Sequence, residues 1–72
     1  MKIRTLTVQE KLEWLYGKEI NFRIECFFDA GYQAYIGDDE NGIELLYSGY
    51  SLSDAVEIIF KEGIRKVQVA RK

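Results

Sequence analysis

The stretch that decides the fold is INFRIECFF at residues 20–28, which is followed by the turn residues DAG and then by YQAYI at 32–36. Apolar and polar residues alternate along 20–28, and alternate side chains of a strand point to opposite faces. The pattern predicts a half-buried strand that turns back into a second, antiparallel strand. The expected buried positions are Ile20, Phe22, Ile24, Cys26, Phe28, Tyr32, Ala34 and Ile36.

The strongest turn signal in the chain is GDDENG at residues 37–42, which ends in Asn-Gly. A third strand is predicted at 43–48, with Ile43, Leu45 and Tyr47 on its buried face. Its other face is expected to carry Glu44, Leu46 and Ser48. Three strands joined by short turns predict an antiparallel meander.

One amphipathic helix is predicted on each side of the meander. Thr7 and Glu10 have the spacing of a capping box at the start of a helix over 7–16. The second helix is predicted over 52–62, because its apolar residues recur at helical spacing and Gly63 follows as a stop signal.

The element order is therefore α-β-β-β-α. We predict a single two-layer α+β domain over residues 1–72, with a three-stranded antiparallel meander and both helices on one face. Residues 65–71 alternate weakly and leave open either a fourth edge strand or a basic tail.

The composition argues against the common catalytic and metal chemistries. The 72 residues include no histidine and one cysteine, so neither a disulfide within the chain nor a usual zinc site is expected. Cys26 is predicted to be a buried, inert thiol. We expect no enzyme activity, no metal and no cofactor.

The sequence has no apolar run of membrane-spanning length and no signal peptide, so a cytoplasmic location is expected.

The second face of the predicted sheet is the candidate functional surface. Phe27, Tyr35 and Leu46 are expected at its centre, and apolar patches rimmed by charge tend to be interfaces. The charged residues expected around them are Arg23, Glu25 and Glu44. The alternative is that the terminal segments fold over this face.

Residues 22–62 also carry a family resemblance. The segments GYQAY at 31–35 and GYSLSDA at 49–55 resemble the strand and helix start of HicB-type antitoxin domains. That resemblance implies a domain that binds a small toxin ribonuclease. The acidic turn at 37–42 replaces the Pro-rich segment typical of that family. The element order alone is similar to double-stranded RNA-binding domains, but Asp54 stands where their last helix needs lysines.

The sequence therefore favours a non-catalytic protein-interaction module that forms a homodimer. The alternative is a nucleic-acid-binding module, because nine of the ten basic residues lie outside 19–60. The basic residues that would come together if the chain ends paired as strands are Lys2, Arg4, Arg65, Lys66, Arg71 and Lys72.

Overall fold

The computed structural model describes residues 6–70 and confirms the α-β-β-β-α order. Each strand is antiparallel to its neighbour in a sheet of order β1-β2-β3. The elements are α1 (Val8–Gly17), β1 (Phe22–Phe27), β2 (Gly31–Asp38), β3 (Gly42–Gly49) and α2 (Leu52–Ala70).

The capping box at the start of α1 is confirmed. The Thr7 hydroxyl accepts a hydrogen bond from the Glu10 backbone N–H at 3.1 Å. In return, the Glu10 carboxylate accepts one from the Thr7 backbone N–H at 2.9 Å. The two bonds satisfy backbone donors that have no partner inside the helix, which is why α1 begins at Val8.

The core lies between one face of the sheet and the two helices. Helix α2 contacts β2 and β3, and α1 packs against α2. An ion pair between Lys11 and Glu57 also joins the helices, and the Trp14 ring meets Phe60 edge-on at 5.3 Å. The fully buried cluster consists of Leu15, Ala34, Ile36, Ala55 and Ile59.

The prediction that Gly63 ends the second helix is wrong, because α2 continues to Ala70. Gly63 is buried, and a Cβ atom at this position would lie 2.5 Å from Leu15 Cδ2 and 3.2 Å from Ile20 Cδ1. The glycine therefore marks the place where α1 packs closely on α2. A side chain there would collide with Leu15.

The possible fourth edge strand at 65–71 is also wrong, because residues 65–70 belong to α2. Position 71 lies outside the described residues.

None of the helices within 6–70 combines the length and apolar character needed to cross a membrane.

Candidate interaction surface

The side of the sheet that faces away from the helices is called the open face here. Its positions follow from the strand register, because directly opposed residues of antiparallel strands share a face. Tyr35 stands at the centre, opposite Arg23 on β1 and Leu45 on β3. The next row consists of Glu25, Gln33 and Ser48. Beyond these rows, Phe27 faces Gly31 at one end and Ile43 faces Gly37 at the other.

An irregularity in β3 corrects the predicted position of Leu46. Ala34 pairs with Tyr47, whereas the next residue of β2, Tyr35, pairs with Leu45. Leu46 is therefore the extra residue of a β-bulge, and such a residue reverses the alternation of its strand. Leu46 packs against the core and is not part of the open face. Leu45, predicted to be buried, is 53% exposed.

The same bulge moves Glu44 to the helix side of the sheet. Glu44 is paired with Ile36, which is buried beneath the helices. Glu44 lines a cleft together with Lys66. The hydrogen bond to Glu62 is the main cause of the raised pKa of Arg65, and the charge of Glu44 adds to it. Glu44 therefore does not flank the open face as the sequence predicted.

Apolar side chains form two patches on the open face. The first patch contains Tyr35, Ile43 and Leu45, of which Ile43 is 41% exposed. The second contains Phe27, 55% exposed, and Tyr50, 79% exposed. Gly31 lies beneath the second patch, and a Cβ there would come within 2.9 Å of the Tyr50 ring. The absence of a side chain at Gly31 lets the Tyr50 ring lie over β2.

Arg23 links the apolar centre to a charged border. Its guanidinium lies 4.7 Å from the centroid of the Tyr35 ring, within the range of a cation–π contact. Its Nε atom is 3.2 Å from the Glu25 carboxylate. Both contacts place the Arg23 side chain beside Tyr35 and Glu25 on the open face, and arginine and tyrosine are enriched in interface hot spots.

Two further residues expected in the core, besides Ile43 and Leu45, are exposed. Cys26 is exposed although it shares the helix side of β1 with Phe22 and Ile24. Phe28 lies in the turn after β1, outside the strand, and is fully exposed. Neither residue belongs to the packed core, so the predicted burial of both Cys26 and Phe28 is wrong.

The structure describes two of the six basic residues that the sequence predicted to come together. Arg65 and Lys66 lie on α2, not on a strand, so they cannot pair with the chain start in a sheet. Arg65 forms an ion pair with Glu62. The other four basic positions lie outside the described residues: Lys2, Arg4, Arg71 and Lys72.

An open cleft of about 550 Å³ lies at one end of the sheet, between the α1–β1 connection and the β2–β3 hairpin. Within it, Asp38 accepts hydrogen bonds from the Asn41 backbone N–H at 2.8 Å and the Asn21 side chain at 2.7 Å. These bonds lower the pKa of Asp38. Across residues 6–70, no group of three or more His, Cys, Asp or Glu residues is placed to hold a metal ion.

The sequence missed Ile43, Leu45 and Tyr50 on the open face. The adjacent pair Leu45-Leu46 breaks the alternation of β3, and that break was the available signal for a bulge.

Comparison with protein-family models, curated proteins and solved structures finds no match to this chain.

Proposed function

We propose that the chain is a non-catalytic protein-interaction module whose open face binds a second copy of itself. One observation carries the proposal: Phe27, Ile43, Leu45 and Tyr50 stand exposed on one side of a sheet whose other side packs against α2 and the core. Apolar side chains grouped in this way mark binding surfaces on soluble domains.

Burial of this face would remove large apolar groups from water. Each fully buried side chain of this size contributes roughly 1.5–3 kcal/mol. The chain has no possible internal disulfide, so a small domain of this kind gains more from such burial than a larger one does. The resemblance to HicB-type domains also favours protein binding.

A second copy fits the open face because each row of residues across the sheet can lie against the same row of the second copy in reverse order. With a two-fold axis along β2, Tyr35 meets Tyr35 of the second copy and Phe27 meets Tyr50. Arg23 then faces Leu45 instead of another Arg23. Glu25 faces Ser48, so like charges do not oppose one another.

The test is sedimentation velocity of the wild type and of Leu45→Asp from micromolar to near-millimolar concentration. We expect Leu45→Asp to associate markedly more weakly than the wild type, because it places a charge in the first apolar patch and so removes the open-face contact. Glu44→Asp is the matched control at the neighbouring position, on the helix side, and should associate like the wild type. Phe27→Asp tests the second patch.

Far-UV circular dichroism shows whether each variant is folded. A wild type that sediments as a monomer throughout this range contradicts self-association. A folded Leu45→Asp that associates as strongly as the wild type shows that the contact lies elsewhere.

A further inference from the structure

Strand β1 forms one edge of the sheet, and within residues 6–70 it pairs only with β2. An unpaired edge offers a row of backbone donors and acceptors to another chain. The strand contains neither proline nor lysine, and its pairing with β2 has no irregularity. The opposite edge, β3, carries the bulge at Leu46, and bulges are a common means of preventing edge pairing. The edge suited to pairing is therefore β1.

The outward backbone groups of β1 can be assigned from one hydrogen bond. The Gly37 N–H donates to the Asn21 C=O at 2.8 Å, in continuation of the β1–β2 register. Alternate residues of a strand direct their backbone groups to opposite sides. The groups that point away from β2 are therefore those of Phe22, Ile24 and Cys26.

We propose that β1 pairs with β1 of a second copy in antiparallel fashion, about a two-fold axis at Ile24. The two three-stranded sheets then form one continuous sheet of six strands. In this register Ile24 faces Ile24 of the second copy, and Phe22 faces Cys26. Arg23 stands directly opposite Glu25 of the second copy, and by symmetry this charge pair occurs twice.

The charged residues of β1 favour this register over the one in which the two-fold axis lies at Glu25. An axis at Glu25 would pair a similar length of strand, but it would set Glu25 against Glu25 of the second copy. Like charges directly opposed across strands are destabilising, whereas opposite charges are favourable. Arg23 and Glu25 are the only charged residues of β1, so they decide the alignment.

The side chains on the helix side also favour pairing. Phe22 and Ile24 pack against the edge of the core but are only partly buried. Pairing at Ile24 would cover both residues with their counterparts. This contact uses the edge of the sheet and is independent of the open-face contact, so either can exist without the other.

Disulfide trapping tests the register in a Cys26→Ser background. Arg23→Cys protein is mixed with Glu25→Cys protein and oxidised, and the products are separated on a non-reducing gel. The two positions would face each other at a Cα separation of about 4.5 Å, which a disulfide spans. We expect a mixed disulfide dimer to form at least about tenfold more than with either protein alone, because identical positions would lie beyond the roughly 7 Å limit.

The matched control mixes Arg23→Cys with Ser48→Cys, which lies on the opposite edge strand and should not cross-link. The open-face contact cannot give the mixed disulfide, because stacked sheets lie about 10 Å apart. Adding Leu45→Asp should therefore leave the yield unchanged even though it removes open-face association. Equal cross-linking by the control pair, or no mixed disulfide at all, overturns the proposal.

Charge reversal gives a second measurement, made in the Leu45→Asp background so that only edge pairing is observed. Arg23→Glu and Glu25→Arg should each raise the dissociation constant about tenfold, because each sets like charges against one another twice. The double variant should restore it to within about threefold. Single variants without effect, or a double variant as weak as either one, contradict the register.

Discussion

On the helix-covered face of the sheet, Ala34 and Ile36 are almost inaccessible to water, whereas Phe27 and Leu45 on the open face keep more than half of their surface exposed. The two faces belong to the same three strands, and both carry large apolar side chains. Alternation of apolar and polar residues therefore predicts that a strand has two different faces. It does not predict which of the two faces the rest of the chain covers. The covered face stabilises the fold, and the open face remains for a partner.

Truncating one side chain in the core and one on the open face should give the largest difference in the free energy of unfolding. Ile59→Ala removes a fully buried side chain from the core and should cost about 2–5 kcal/mol in the free energy of unfolding. Leu45→Ala should cost less than about 1 kcal/mol in dilute monomeric protein, because the side chain is already half exposed. Urea unfolding midpoints compare the two. Equal losses would mean that the faces do not differ as described.

A second contrast concerns the contact between the helices. Gly63→Val should destabilise the protein by about 1–3 kcal/mol, because the added side chain must displace Leu15 from its packed position. Gln68→Val adds the same side chain at an exposed position of the same helix and serves as the control. Thermal and urea unfolding measure both. A stabilised Gly63→Val would indicate that helix propensity outweighs the close contact of α1 and α2.

The smallest expected effect is a dependence on pH at the end of the sheet. The Asn41 backbone N–H, followed by the Asn21 amide, lowers the pKa of Asp38 in the folded protein. This contribution to stability is therefore fully present above the unfolded pKa of about 3.9, and is lost as the pH falls through the lower folded pKa. Asp38→Asn should be less stable than the wild type at neutral pH, and the difference should shrink on acidification. A difference independent of pH would contradict this assignment.

Local signals in the sequence predicted much of the fold. The capping box at Thr7 and the alternation around Ala34 depend on neighbouring residues, and both appear in the structure as expected. Gly63 was misread because a glycine after an apolar stripe is a common stop signal. Its role depends on Leu15, which is far away in the sequence, so no local pattern could reveal it.

The candidate surface was predicted less well. Arg23, Glu25, Phe27 and Tyr35 lie on the open face as expected, because β1 and β2 pair without interruption in that register. Leu46 and Glu44 do not, because a single bulged residue reverses every assignment on one side of it. The adjacent apolar residues Leu45 and Leu46 signal that the alternation breaks, but they do not show which of the two residues faces the helices.

The most direct test of the central claim is a dilution series followed by NMR amide spectra of the wild type. If the open face binds a second copy, resonances of Tyr35, Leu45 and their open-face neighbours should shift with concentration. Those of Val56 and Ile59 in α2 should remain fixed, because both are buried on the other side of the sheet. Spectra that do not change up to near-millimolar concentration, or shifts confined to the helices, would contradict the account.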